Sequence, residues 1–110
     1  MILLILLFSG IYSPSTIHQI KAPVGTGRLP LPANSFGEWL RTIQLKRDNT
    51  VYLYNGQKKL NQSAQFAVLN ISVGNKDLQQ CADAIIRLRA EYLLTKGRGD
   101  EIQFHTTNGT

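Results

Sequence analysis

Two kinds of apolar pattern run along this chain. Between residues 77 and 95, Leu78, Cys81, Ala82, Ile85, Leu88 and Tyr92 recur at three- and four-residue steps. That is the spacing of a helix that buries one face. Asp77 suits the N-cap with Gln80 at the third helical position, and Gly97 and Gly99 stop the helix near Thr95. Asp83, Arg87 and Glu91 recur every four residues on another face, as an ion ladder turned to water. A shorter helix is predicted after Ser35, because Ser35 and Glu38 have the spacing of a capping box and Trp39, Leu40 and Ile43 make a compact apolar face.

The second pattern is β-branched and aromatic. Residues 50–54, TVYLY, read as a strand closed by Asn55-Gly56, and residues 66–73, FAVLNISV, as a second strand ended by Gly74-Asn75. The intervening QKKLNQSAQ, residues 57–65, reads as a longer connection than a tight hairpin, with Lys58 and Lys59 facing water. EIQFH, residues 101–105, reads as a last short strand. This order predicts one α+β domain over residues 35–110, a small, mostly antiparallel sheet packed against one long helix. Residues 16–34 carry Pro23, Gly25, Gly27, Pro30 and Pro32 and read as an extended arm. Their V-G-T-G-R is a turn, since the Gly-Lys-Ser/Thr ending of a phosphate loop is absent.

Residues 1–12, MILLILLFSGIY, form an almost unbroken apolar run. It is too short for a transmembrane helix and the right length for a signal-peptide core, although no Lys or Arg precedes it. With Ser13 and Ser15 as a cleavage region, residues 1–15 are read as a signal peptide. The expected location is outside the cytoplasm, periplasmic or associated with the cell envelope.

Composition narrows the function classes. A chain of 110 residues makes at most one domain, and a domain of that size buries only about 65% of its surface. The net charge of +5 is scattered, with Lys46-Arg47 and Lys58-Lys59 the adjacent pairs. Nucleic-acid binding is not expected from that distribution. A lone cysteine forms no intramolecular disulfide, and one Cys with two distant His residues offers no metal-ligand spacing. No cofactor is expected.

The remaining chemistry sits at Cys81. The first turn of a capped helix favours a thiolate, as cysteine hydrolases require. Sharing a stripe with Leu78 and Ile85 disfavours the charged form, and the only histidines are His18 in the arm and His105 beyond the helix. Local chemistry therefore favours a buried, inert cysteine over a nucleophile and leaves both readings open.

The run DLQQCADAIIRLRAEYLL, with SFGEWLRTIQL, VYLYNGQKKLNQ and LNISVGNKDLQQ before it, resembles the bacterial family catalogued as domain of unknown function 4846, over residues 25–109. Members of that family are generally exported and longer than this chain. Their second half carries G-D-x-F and P-G-H-A segments similar to the His strand of papain-like and peptidoglycan-processing cysteine hydrolases. The resemblance implies that Cys81 is the nucleophile and Gln79 or Gln80 an oxyanion donor. It also implies a peptide or peptidoglycan-like substrate, and a chain that is the N-terminal half of a papain-like fold. Nothing in this sequence matches P-G-H-A, so such a fragment is expected to be inactive alone. The alternative is a non-catalytic binding or structural module of the cell envelope.

Overall fold

The computed structural model describes residues 13–105 and residue 108. The apolar run of residues 1–12, and with it most of the expected signal peptide, lies outside them. Two α-helices, α1 (Phe36–Arg41) and α2 (Cys81–Thr95), are the main regular elements, with short 3-10 turns at Ile17–Gln19 and Gly99–Glu101.

Ser35 starts α1 as expected, its Oγ accepting the Glu38 N–H at 3.2 Å. The Glu38 carboxylate reaches one residue further back than a capping box requires and accepts the Asn34 N–H at 2.6 Å. Asn34 has φ of 62°, a left-handed conformation that asparagine tolerates better than most residues. α2 begins at Cys81 rather than at Asp77. Gln80 is the cap residue, and the Asp83 carboxylate accepts its N–H at 3.0 Å. Residues 72–79 instead fold back along the first turns of the helix. The Arg87 guanidinium donates there to the Ser72 carbonyl, and Gln79 Nε2 to the Val73 carbonyl at 3.5 Å. Asp83 is thus drawn out of the expected ladder, which shortens to one Arg87–Glu91 pair at 2.8 Å. The C-terminus follows the sequence closely. Gly97, at φ 68°, donates to the Leu94 carbonyl at 3.0 Å, and Arg98 N–H to the Leu93 carbonyl at 2.8 Å, the paired closure of a Schellman motif.

The expected sheet does not form among the described residues, and the α+β architecture with its papain-like half-fold is corrected accordingly. The strands expected at 50–54 and 66–73 make only isolated bridges, Tyr52 with Lys58 and Leu69 with Leu45, and a further bridge joins Thr16 to Gln44. Side chains occupy backbone groups that a ladder would use. Gln62 accepts the Val51 N–H at 3.0 Å and donates to the Val51 carbonyl at 2.9 Å, while Gln65 donates to the Asn49 carbonyl at 2.8 Å. Residues 51–59 do make a short hairpin, closed by Asn55 and by Gly56 at φ 84°. The segment expected as a longer connection therefore begins as a hairpin arm. Of residues 101–105, expected as a strand, Glu101 closes the second 3-10 turn and 102–105 are irregular.

The core is small: Ile43, Leu45, Tyr92 and Leu93 are the buried apolar residues among those described. Its centre is an aromatic cluster between the helices. Tyr92 meets Phe36 at 5.4 Å and Trp39 at 5.9 Å between ring centroids, and the Arg89 guanidinium lies 5.1 Å from the Tyr92 ring. The Tyr92 hydroxyl donates to the Asn34 carbonyl at 2.6 Å and ties α2 to the residue before the α1 cap. Six residues of α1 span about 9 Å and fifteen of α2 about 22 Å. α1 therefore covers only the C-terminal end of the apolar stripe. Leu78 and Ile85, expected to be buried, are 69% and 64% exposed. Cys81 and Ala82 are exposed with them.

The arm is stitched to this core. Ile17 N–H donates to the Ile43 carbonyl at 3.1 Å, and Leu45 N–H to the Ser15 carbonyl at 2.8 Å. Arg28 donates to the Ile20 carbonyl at 2.8 Å, and Arg41 to that of Leu29 at the same distance. No described helix is long and apolar enough to cross a membrane.

Candidate functional site

Cys81 is the first residue of α2 and its thiol is exposed. The expectation of a cysteine packed in the core is therefore overturned, because the stripe it belongs to has no partner at that end. A helix start leaves its first N–H groups without intrahelical acceptors, and no described group accepts from Cys81 or Ala82 N–H. These two amides, next to the thiol, are the donors an oxyanion would meet there. The Gln80 N–H is already donated to Asp83, and Gln80 lines a neighbouring cleft. Gln79 is held by Val73 and by Arg87, whose guanidinium donates to Gln79 Oε1 at 3.4 Å.

The histidines stand apart from Cys81. His18 is exposed in the first 3-10 turn and lines a hollow with Thr16, Glu38, Arg41 and Thr42. His105 is exposed beyond the second 3-10 turn. Neither has a hydrogen bond to Cys81 or lines the cleft beside it. Among the described residues, no group of three or more His, Cys, Asp or Glu side chains is placed to hold a metal.

That cleft was not visible in the sequence. It has a volume of about 350 Å³ and its lining includes Tyr52, Tyr54, Lys59, Lys76, Asp77 and Gln80. A second cavity of about 560 Å³ shares Val51, Tyr52, Leu53, Tyr54 and Val73 with it, and adds Lys46 and residues 68–72. Together they make a groove between the 51–59 hairpin and the chain that leads into α2. The only sequence signal for it was the TVYLY-Asn-Gly turn; Lys59 was assigned to open solvent, and nothing marked Lys76. A larger cavity of about 880 Å³, near Ser13, Lys46 and Arg47, holds no thiol or imidazole. Asp48 on its wall is held below the usual carboxylate range by the Thr50 hydroxyl and N–H, which donate to it at 2.7 and 3.0 Å.

A family model described as domain of unknown function (4846) matches residues 17–110. No curated protein and no solved structure matches the chain. The matched region includes most of the described arm, both helices, the groove and Cys81. The chain belongs to that family.

Proposed function

Starting from a member of this family with an exposed thiol at a helix start, we propose that it is the nucleophile-bearing part of an exported, cysteine-dependent amide hydrolase of the cell envelope. The substrate class is a peptide or a peptidoglycan-like amide. The observation that supports this reading is the exposure of Cys81 as the first residue of α2, beside two unpaired amides and a groove. The Cys81 thiolate would attack the amide carbonyl carbon and form a C–S bond, with the oxyanion on the Cys81 and Ala82 N–H groups. The thiol proton passes to a histidine supplied by the second half of a longer family member. Collapse expels the amine, which takes that proton, and water then cleaves the thioester to the acid and the free thiol. The reading concerns this chemistry and does not require a papain-like sheet.

Neither described histidine lines the cleft beside the thiol, so the residues described here are expected to acylate without turning over. An N-acetyl-alanine nitrophenyl ester tests this. The folded chain should release up to one equivalent of nitrophenol in a burst, with the acyl mass on Cys81, and the Cys81→Ser variant none. A folded chain that acylates no faster than the urea-unfolded chain would count against the nucleophile.

A second reading, a non-catalytic binding module of the envelope, is favoured by the groove itself, whose lining includes no thiol or imidazole. It predicts that Cys81→Ser leaves ligand binding unchanged.

A further inference from the structure

The hairpin leaves one edge open. Lys59 N–H donates to the Val51 carbonyl at 3.0 Å and Leu53 N–H to the Gln57 carbonyl at 2.7 Å. Tyr52 and Lys58 are thus the non-hydrogen-bonded pair between these two bonds. In an antiparallel ladder the residue at such a position turns its own N–H and C=O away from its partner. Neither backbone group of Tyr52 has a hydrogen-bond partner among the described residues, and the same is true of Ile71 on the opposite wall. Both residues line the 560 Å³ cavity, which shares Val51–Tyr54 and Val73 as lining with the 350 Å³ one. An unpaired edge beside an open groove is the starting condition for strand addition by a peptide.

Charge selects the partner. Lys46, Lys59 and Lys76 line the groove against the single carboxylate of Asp77, and none of the three ammonium groups is in an ion pair among the described residues. Lysines along an edge discourage pairing with a second copy of the same edge. Between them, Val51, Leu53 and Val73 supply apolar wall.

We propose that this groove binds an extended acidic peptide, which adds a strand to the Tyr52 edge while its carboxylates meet Lys46, Lys59 and Lys76. The proposal stands apart from the hydrolase reading, since binding needs no thiol. Gln79 and Gln80, the two residues before α2, also line the groove.

The test uses the full chain and a fluorescein-labelled octapeptide of alternating valine and glutamate, followed by fluorescence anisotropy. Saturable binding is expected, equal for the native chain and Cys81→Ser, so that a failure of the nucleophile and a failure of the groove are told apart. Lys59→Glu combined with Lys76→Glu should weaken binding at least ten-fold. Backbone N-methylation of every second peptide residue should do the same in at least one of the two registers. Absence of binding overturns the proposal, as do equal affinity for both methylated registers and the parent, or equal affinity for a valine–lysine peptide. Displacement by an oligodeoxynucleotide without any register effect would make the groove a general polyanion surface and overturn it as well.

Discussion

Replacing Tyr92 by leucine keeps an apolar side chain at a buried point of the core and removes everything particular to the tyrosine. Lost are ring contacts to Phe36 at 5.4 Å and Trp39 at 5.9 Å, the Arg89 guanidinium at 5.1 Å from the ring, and the 2.6 Å hydroxyl bond to the Asn34 carbonyl. Each aromatic pair contributes about 0.5–1.5 kcal/mol beyond burial, a cation over a ring about 0.5, and the hydrogen bond about 1. These terms overlap, so a loss of roughly 2–4 kcal/mol is expected for Tyr92→Leu and about 1 for Tyr92→Phe, which keeps the ring. Trp39, the sole tryptophan, is an internal reporter of the same contact. In urea unfolding followed by its fluorescence, a slope of about 1–1.5 kcal/mol per molar turns these losses into midpoint shifts of about 1.3–4 M and about 0.7–1 M. Equal midpoints for Tyr92→Leu and the native chain, or equal shifts for the leucine and phenylalanine variants, would refute the cluster as the joint between α1 and α2.

Other consequences follow from single contacts. Ser35→Ala removes the acceptor of the Glu38 N–H and should destabilise the chain by about 1 kcal/mol in thermal melts. Gly56→Ala forces a side chain onto φ 84° with nothing within 4 Å of the added Cβ, so a loss of about 1 kcal/mol would report backbone strain alone. The Arg98 guanidinium, bonded to Glu101 at 2.5 Å, holds the Glu101 carboxyl below its ordinary value of 4.5. A carboxyl with a lowered folded value contributes stability that is present above 4.5 and lost as pH falls through the folded value. Glu101→Gln should therefore flatten the acid limb of the stability curve below that pH, and an unchanged limb would show that the exposed pair contributes nothing.

Much of the helical structure was legible in the sequence, and the sheet was not. Ser35, Gly97 and the step pattern up to Tyr92 act through local geometry, so the α1 start and the α2 end lie where the residues indicate. Propensity made strands of TVYLY and FAVLNISV, but a strand needs a neighbour along its whole length, and sequence does not report one. Here Gln62, Gln65 and Arg87 take backbone groups that a neighbour would have taken. The apolar stripe of α2 was read correctly as a face. Its burial was not, because six residues of α1 cover only its C-terminal end. The exposure of Cys81 follows from that shortfall in length rather than from any residue near it. The groove escaped notice because Tyr52, Lys59 and Lys76 are far apart in pattern and brought together only by the Asn55-Gly56 turn and the fold-back before α2.

The most direct measurement is the alkylation rate of Cys81 by iodoacetamide, read by mass spectrometry on the folded chain and on the same chain in denaturant at neutral pH. With the thiol exposed at the start of α2, the folded chain should react at least as fast as the unfolded one. Slow alkylation that accelerates only in denaturant would contradict it and return Cys81 to the core.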